Sequence, residues 1–413
     1  MIIYDIAIIG SGAAGSMAAI RASQLRKDIV LIEGNDRIGK KILITGKGRC
    51  NLTNAATLDT FIEEFRNEGQ FLRSAFSKFF NTELIDFFES NGLPLKTERQ
   101  GRVFPATDRA DSVIKVLENS LKESGITVFY NMRVKNIRRE DNFFQLEPVG
   151  KDPLNARKVI LATGGTSYKA TGSRGDGFEI AKKLGHTVKH LMPALVPLKT
   201  EESWAKELQG LTLKNVRITF TLGKKKVVSD IGELLFTHFG VSGPLVLDLS
   251  GRITTLLSEH KTADLFIDLK PGLTIDKLEA KLLKIFAGKG KTYFKNIMKE
   301  LLPNKLIPVF SNLLSVDALK IGSQITKHER NGIIRLLKAL PLKISGSLGI
   351  DYAMVTGGGI STKEIDPKTM ESKIVPGLYF AGEIIDGWAR SGGYNLQQAF
   401  STGYLAGESA AYA

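Results

Sequence analysis

The chain has 413 residues, of which 43% are hydrophobic and 24% charged, and its formal net charge is +14. This length is about two to three times that of a typical domain, so we expect more than one lobe, and the balanced composition excludes disordered and fibrous proteins. The longest uncharged stretches, 6–20 and 391–407, are too short and too rich in glycine and serine to cross a bilayer. The chain starts without the basic segment and cleavage site of a signal peptide, so the expected location is cytoplasmic.

Residues that commonly bind metals are scarce. Cys50 is the single cysteine, and the five histidines show no ligand spacing. One cysteine cannot form an intramolecular disulfide, which fits a reducing compartment. We therefore expect no metal site.

The positive charge is concentrated in one part of the chain. Residues 270–343 contain fifteen Lys or Arg against five Asp or Glu. Such an excess attracts nucleic acid, anionic membranes or acidic substrates. Aromatic residues are sparse there and no RNA-binding motif is present, which favours a solvated, lysine-rich helical face. Nucleic acid is therefore an open but not a favoured partner, and no membrane partner is expected.

The first elements predict a nucleotide site. Residues 2–9 form a nearly continuous apolar run that is typical of a buried parallel strand. The sequence GSGAAG follows at 10–15, then the small residues of a tightly packed helix, and a second apolar run at 28–32 ends at Glu33. Strand, turn, helix, strand and acid in this order are the fingerprint of a dinucleotide-binding βαβ unit.

Each residue of this fingerprint has a physical role. Gly10 permits the turn, Gly12 lets the backbone approach a pyrophosphate, and Gly15 allows close packing of the helix on the strand. The free N–H groups at the helix start bind the anion. Glu33 accepts hydrogen bonds from ribose hydroxyls and repels a 2′-phosphate, so the site suits FAD or NAD rather than NADP.

The segment 38–54 is too rich in glycine and lysine to form a regular element. We expect a ligand-binding loop, because its cations suit a diphosphate and its amide and hydroxyl groups can donate to a ring or a ribityl chain. The alternative is a basic surface loop. Cys50 is a candidate redox thiol, although a buried structural cysteine is the commoner case.

The rest of the chain continues the α/β pattern and then departs from it. Helical patterns occupy about 57–90, and a segment that includes Gly175, Asp176 and Gly177 precedes an amphipathic helix. Those three residues suit a turn and helix cap as well as they suit ligand contacts. Strand patterns occur at 126–133, 143–147 and 157–163. From 191 the pattern changes to short β-like pieces with glycine turns.

The closing segment predicts a second ligand-facing helix. A short apolar strand ends at Glu383, and the sequence SGGYNLQQAF at 391–400 places two glycines before a helix of small residues. We expect Asn395 to be the N-cap. A helix start aimed into a cleft stabilises negative charge, such as that of a reduced flavin. No second fingerprint with a following acid is present, so a separate dinucleotide domain is not predicted.

Four blocks together resemble the BaiN-type, aminoacetone-oxidase-like family of two-domain FAD flavoproteins, which is distantly similar to the fumarate reductase lineage. They are GSGAAG, GKGRCNLTN at 46–54, ATGG with the later TGSRGDG, and TMESKIVPGLYFAGEIID with SGGYNLQQAFSTG. The resemblance implies an α/β fold with a discontinuous Rossmann-like FAD-binding domain of the glutathione reductase type, formed by 1–190 and 346–413. An inserted lobe at 191–345 would lie over the flavin, β-rich at 191–270 and helical and basic at 271–345.

The resemblance also assigns parts of FAD to residues of this chain. The glycine turn would hold the diphosphate, Glu33 the adenosine ribose, the backbone of Val134 the adenine, and the C-terminal block the ribityl chain and pyrimidine. No histidine precedes His186, so the covalent attachment of some relatives is missing and FAD is expected to be non-covalent. The expected cofactor-binding residues are Gly10, Gly12, Ala13, Ala14, Gly15, Glu33, Gly39, Lys40, Lys41, Gly48, Arg49, Cys50, Asn51, Val134, Thr163, Gly164, Glu383, Asp386, Gly393, Asn395 and Leu396.

We predict an FAD-dependent oxidoreductase that transfers hydride through a non-covalent flavin to or from a small organic substrate, and the resemblance implies NAD(P)H as electron donor. No catalytic residue is assigned, because no acid-base pair typical of one reaction is apparent. Arg390 and His238 are candidate substrate contacts, although a surface arginine and a core histidine are the commoner cases. Two alternatives stay open: an RNA-modifying flavoprotein that binds tRNA through the basic segment, and a non-catalytic flavin-binding redox sensor.

Overall fold

The computed structural model describes residues 2–257 and 260–413. The chain forms two compact units, the first from residues up to Ala194 together with Ile350–Ala413, and the second from Leu195–Gly349. Each unit has its own hydrophobic core. Within the described residues, no helix has both the length and the apolar character needed to span a bilayer.

The strands are numbered in chain order. They are β1 (Ile3–Ile9), β2 (Ile29–Ile32), β3 (Thr53–Asn54), β4 (Leu95–Thr97), β5 (Arg102–Pro105), β6 (Thr127–Phe129), β7 (Val134–Arg139), β8 (Phe144–Pro148), β9 (Leu154–Leu161), β10 (Val188–Ala194), β11 (Leu198–Thr200), β12 (Thr212–Leu222), β13 (Lys225–Thr237), β14 (Gly240–Ser242), β15 (Ala263–Asp268), β16 (Leu340–Ser347), β17 (Val355–Ile360) and β18 (Leu378–Phe380).

The α-helices are numbered in the same way. They are α1 (Ala13–Ser23), α2 (Lys40–Ile44), α3 (Leu58–Glu64), α4 (Gly69–Lys78), α5 (Asn81–Ser90), α6 (Ala110–Glu123), α7 (Asp176–Lys183), α8 (Ser203–Glu207), α9 (Pro244–Leu257), α10 (Ile275–Gly288), α11 (Phe294–Ile297), α12 (Ile307–Leu314), α13 (Lys327–Lys338) and α14 (Tyr394–Tyr412).

A mostly parallel sheet forms the centre of the first unit. Its order is β6-β2-β1-β9-β8-β7, and β18 also pairs with β9. The strands β6, β2, β1, β9 and β18 are parallel, so the apolar run of β1 lies between two apolar neighbours, with Ile8 opposite Leu31 and Ile160. This arrangement confirms the predicted Rossmann-like fold.

Three local predictions in this unit need correction. The segment 38–54 contains the short helix α2, because the run KKILI favours a helix once Gly39 has turned the chain at a φ of 63°. The strand predicted at 126–133 ends at Phe129, and the chain bends at Asn131, whose φ is 51°. The prediction missed β7, since its sequence VKNIRR has few apolar residues to mark an antiparallel edge strand.

The helices from the two ends of the chain, α1 and α14, pack backbone against backbone. A Cβ atom on Gly403 would lie 2.2 Å from the carbonyl oxygen of Ala14, and one on Gly407 would lie 2.3 Å from that of Ala18. Only glycine permits this approach. It brings the start of α14 close to the glycine turn that opens α1.

The prediction that Asn395 caps α14 is wrong. The N-cap is Gly393, whose φ is 101° and whose Cβ would collide with the carbonyl oxygen of Thr53. Asn395 lies inside the helix, where its side chain accepts from the N–H of Ala389 at 2.9 Å and donates to the carbonyl of the same residue at 2.9 Å. The amide therefore fixes the loop before the helix.

The second unit is built on a closed barrel of order β11-β14-β13-β12-β15-β16. All of its strand pairs are antiparallel. The helices α10 to α13 lie between β15 and β16 in the chain, and α13 packs against both strands. Buried side chains of the barrel and of these helices form one core.

The contact between α1 and α14 predicts that glycine-to-alanine substitution has different effects on stability at two helical glycines. Gly407→Ala should destabilise the protein by roughly 1–3 kcal/mol, because the added methyl group meets backbone that cannot move aside. Gly288→Ala, at an exposed glycine with nothing within 4 Å of its Cβ position, should be neutral or stabilising by up to about 1 kcal/mol. Denaturant unfolding measures both, and equal effects of the two substitutions would contradict this packing.

Candidate functional site

A cleft in the first unit runs along the carboxyl ends of its parallel strands. The segments that follow β1, β2, β9 and β18 all line it, as does the first part of α14. Open α/β sheets bind their ligands at this edge. The glycine turn at the start of the chain and the helix at its end therefore face the same cleft.

The three glycines of the turn differ in what their missing side chains allow. Gly10 has a φ of 97°, and its Cβ would lie 2.5 Å from the carbonyl oxygen of Ala162. The Cβ of Gly15 would lie 1.7 Å from the carbonyl oxygen of Gly10, so both residues are required by packing within the protein. Gly12 has an ordinary φ of −73° and no atom within 4 Å of its Cβ position, and it lines the cleft. The space beside Gly12 is available to a ligand.

Glu33 is buried at the end of β2, where four donors hold its carboxylate. Oε2 accepts from the N–H and the hydroxyl of Ser11 at 2.9 and 2.5 Å, and Oε1 accepts from the N–H and Nδ2 of Asn35 at 2.8 and 2.7 Å. These bonds tie the end of β2 to the glycine turn. The acid is thereby fixed at the wall of the cleft, as recognition of a ribose requires.

A lysine–glutamate pair connects α2 to the segment after β18. Lys41 Nζ lies 2.6 Å from Glu383 Oε2 and 2.6 Å from the Ser167 hydroxyl, while Glu383 Oε1 accepts from the N–H of Thr356 at 2.8 Å. Burial opposes ionisation of Glu383, but Lys41, the N–H of Thr356 and the Ser167 hydroxyl together hold its pKa below the ordinary value. The carboxylate is therefore charged at neutral pH.

Other cations line the cleft. Lys40 pairs with Asp36 at 2.7 Å, and Arg133 makes two bonds to Asp176, at 2.7 and 2.5 Å. Arg174 is exposed and has no ion pair with any carboxylate in the described part of the chain. Positive charge beside a helix start suits a diphosphate group.

Some buried polar atoms at the site lack a partner within the described residues. Thr163 Oγ1 and Gln398 Nε2 belong to residues that line the cleft. Buried polar groups are nearly always hydrogen-bonded, so an unpaired one indicates a missing partner. Together with the space at Gly12, the fixed acid at Glu33 and the free N–H groups of α1, these atoms fit an extended dinucleotide such as FAD.

Most of the expected cofactor-binding residues meet in this cleft. The residues that line it are Gly10, Gly12, Ala13, Ala14, Glu33, Gly39, Lys40, Lys41, Val134, Thr163, Gly164, Glu383, Asn395 and Leu396. They come from five distant parts of the sequence. Only tertiary folding brings them together.

The other expected residues do not line the cleft. Arg49 bonds Asp108 at 2.7 Å and lies over the ring of Phe104. Asp386 pairs with Lys189 at 2.5 Å. The remaining ones, which serve as packing, capping or loop residues, are Gly15, Gly48, Cys50, Asn51 and Gly393.

The structure also shows the surroundings of the three residues that were candidates for redox chemistry or substrate contact. Cys50 is fully buried, and burial raises the pKa of its thiol to about 12, so the thiol is protonated and does not suit redox chemistry. Arg390 pairs with Glu64 at 2.8 Å. His238 belongs to the second unit and is exposed, which differs from a core histidine.

Sequence reasoning missed several residues of the site. Ser11 and Asn35 hold Glu33, and Gln398 contributes an unpaired amide. Ser11 occupies a variable position of the glycine turn, so only the fold reveals its bond. Arg174 lies within the TGSRGDG block. That glycine-rich block was the sequence feature that could have indicated Arg174 as a site residue.

Comparison with known proteins relates the whole chain to one family. The family model described as HI0933-like protein Rossmann domain matches residues 4–409. A 3-dehydro-bile acid delta(4,6)-reductase of Clostridium scindens is 34% identical, covering 98% of each chain. A ribosomal RNA dihydrouridine synthase of Haemophilus influenzae is 31% identical, covering 96% of each. In fold, the chain is similar to the 3-ketosteroid delta1-dehydrogenase of Sterolibacterium denitrificans, with a TM-score of 0.55 at 13% identity and 99% coverage of both chains.

The pair of Lys41 and Glu383 predicts a pH-dependent stability difference. Lys41→Met leaves the carboxylate without its cation, so at about pH 8 the free energy of unfolding should fall by roughly 1–3 kcal/mol, less than for a fully buried pair. The two side chains are 22% and 18% exposed. Because the pKa of Glu383 is lowered in the folded protein, the stabilisation from its ionised form is fully present above the unfolded pKa of about 4.3. This stabilisation is lost as the pH falls below that value and through the folded pKa, so the difference between variant and wild type should shrink at acidic pH.

Urea unfolding of flavin-free protein measures this difference across the pH range. Lys40→Met is the matched control, since Lys40 pairs with Asp36, whose side chain is 68% exposed. The control should leave stability nearly unchanged at every pH, because solvent screens the exposed pair. A Lys41→Met effect that does not vary with pH would contradict the assigned role of the pair.

Proposed function

This chain belongs to the HI0933-like Rossmann family, of flavoprotein oxidoreductase type, and we propose that it is an FAD-dependent reductase of a carbon–carbon double bond conjugated to a carbonyl group. One observation carries the proposal. Two relatives that match nearly the full chain are named for different molecules but for the same kind of bond: the 4,6-diene of a 3-oxo bile acid, and the double bond that distinguishes uridine from dihydrouridine. Family membership also favours an enzyme over a non-catalytic redox sensor.

FAD, when bound, supplies the hydride chemistry that amino-acid side chains lack. On this chain, the N–H groups at the start of α1 would hold the diphosphate beside Gly12, and Glu33 would hold the adenosine ribose. Thr163 and Gln398 would donate or accept at polar edges of the cofactor. The first turn of α14 would stabilise negative charge at the opposite end.

The reduction adds a hydride and a proton across the double bond. A reductant must supply the hydride, with its two electrons, and the proton comes from solvent. We propose NAD(P)H as this donor. The sequence has no second strand-glycine-helix fingerprint with a following acid, which supports a donor that binds transiently rather than in a domain of its own.

Two substrate classes share this bond chemistry. The first candidate is a small 3-oxo compound of bile acid or steroid type, supported by the relative with 34% identity. The second is a uridine within RNA, supported by the relative with 31% identity and by the charge of this chain. The unit Leu195–Gly349 contains 24 Lys or Arg against 14 Asp or Glu. A polyanion would be attracted to that unit far more strongly than a small substrate that carries at most a single charge.

The proposed cofactor site predicts loss of flavin without loss of folding. Gly12→Val should reduce the bound FAD per chain at least tenfold, because the side chain enters space that the protein leaves open, and the φ of −73° suits valine. Far-UV circular dichroism should be unchanged. The matched control is Gly272→Val, at a loop glycine with nothing within 4 Å of its Cβ position, which should keep its flavin. Full FAD occupancy in Gly12→Val would contradict the proposed diphosphate site.

Reoxidation of the reduced flavin separates the two substrate classes. The holoenzyme is reduced without oxygen by NADH or NADPH, and then mixed with a 3-oxo-4,6-diene bile acid or with a uridine-rich RNA hairpin. We expect flavin absorbance to return with at least one of them. Mass spectrometry should then show the bile acid reduced at one double bond, or dihydrouridine. Reduced flavin that neither compound reoxidises would contradict the proposed bond type, and failure of both nucleotides to reduce it would contradict the donor.

A further inference from the structure

A groove on the second unit combines three lysines with an apolar wall. It lies between the first residues of β12, the segment after β15 and the turn that follows α11. Lys214, Lys270 and Lys299 line it, and Leu301 and Pro303 contribute apolar surface. The groove belongs entirely to the unit Leu195–Gly349.

Two carboxylates that neighbour these lysines in the sequence are paired with other cations. Glu300, which also lines the groove, bonds Lys289. Asp268, at the end of β15, lies 2.7 Å from Lys338 Nζ. Within residues 2–257 and 260–413, none of the three groove lysines has a carboxylate within ion-pair distance. Their charge is therefore available to a ligand.

The positive charge of Lys270 is disfavoured by its surroundings in the free protein. Its side chain is partly buried, and burial, followed by repulsion from Lys281, lowers its pKa. A partly buried cation is normally paired, because its desolvation is otherwise uncompensated. An anion bound in the groove would supply the missing partner.

A backbone irregularity places Lys214 at the groove. The pairing of β12 with β13 slips between Leu213 and Val216, and Asn215 within the slip has a φ of 55°. Leu213 and Val216 are both buried in the core of the unit, while Lys214 between them is exposed. β-bulges redirect side chains in this way and are typical of functional surfaces.

We propose that this groove binds backbone phosphates of an RNA strand. The positive surplus of the unit lies in residues 270–343, which contain fifteen Lys or Arg against five Asp or Glu. This surplus is larger than the three lysines of the groove, which favours a long polyanion over a single phosphate group. The proposal rests on the second candidate substrate, RNA, for the source of the phosphates.

The test compares two variants of equal charge. The groove variant is Lys214→Gln/Lys270→Gln/Lys299→Gln. The matched control is Lys277→Gln/Lys284→Gln/Lys291→Gln, which removes three exposed lysines of the same unit that have no ion pair in its described part. A second groove variant, Lys214→Gln/Lys299→Gln, changes only exposed lysines, so a folding defect at Lys270 does not obscure the result.

Binding of a fluorescein-labelled RNA hairpin to each FAD-loaded protein is followed by anisotropy over a range of salt concentrations. The groove variant should bind about tenfold more weakly at low salt, and its slope of log affinity against log salt should be shallower by about three, one for each phosphate contact. The control should lose less than about threefold. Pyrophosphate should compete with the hairpin for wild type more strongly than for the groove variant.

Three results would overturn the proposal. Equal losses in both triple variants would mean that only diffuse charge matters, and a wild type that does not bind the hairpin at low salt would remove RNA as ligand. A groove variant that raises the KM for NADPH but binds RNA as before would assign the phosphate to the dinucleotide. Reduction of the 3-oxo-4,6-diene bile acid by the same proteins is measured in parallel, so failure of the groove proposal is distinguishable from failure of the reductase proposal.

Discussion

The close approach of α1 and α14 is the constraint on which the site depends. Gly403 and Gly407 let the two helices touch through their backbones, although they come from opposite ends of the chain. Because α1 starts at the glycine turn and α14 starts after Gly393, this contact puts both helix starts beside one cleft. An adenine-to-flavin molecule needs such a long cleft, with a positive helix end for the diphosphate and another for the flavin.

The glycines around the cleft are of two kinds: packing within the protein requires some of them but not Gly12. Gly10, Gly15 and Gly393 each face protein backbone within 2.5 Å of a missing Cβ, so folding alone accounts for them. No atom of the described residues lies within 4 Å of the Cβ position of Gly12, which lines the cleft. A ligand bound in the cleft would occupy that space. Thr163, whose hydroxyl is buried without a partner in the described chain, points to the same conclusion independently.

The sequence predicted the fold class and the family because their signals are local. The β1–α1–β2 unit has an uninterrupted apolar and glycine pattern, and each of the four motif blocks consists of short contiguous runs of sequence. Features that depend on distant residues were not predictable. Arg49 meets Asp108, 59 positions away, and Glu33 meets Ser11 across the glycine turn. The side chain of Asn395 braces Ala389 instead of capping α14, because Gly393 already makes the turn that the cap would make.

A crystal structure of the protein with FAD bound would show directly whether both helix starts meet one cofactor. We expect one FAD per chain, with its diphosphate against Gly12 and the start of α1, its adenosine ribose at Glu33 and its isoalloxazine at the first turn of α14. A flavin whose diphosphate lies away from Gly12, or whose ring lies away from α14, would contradict it.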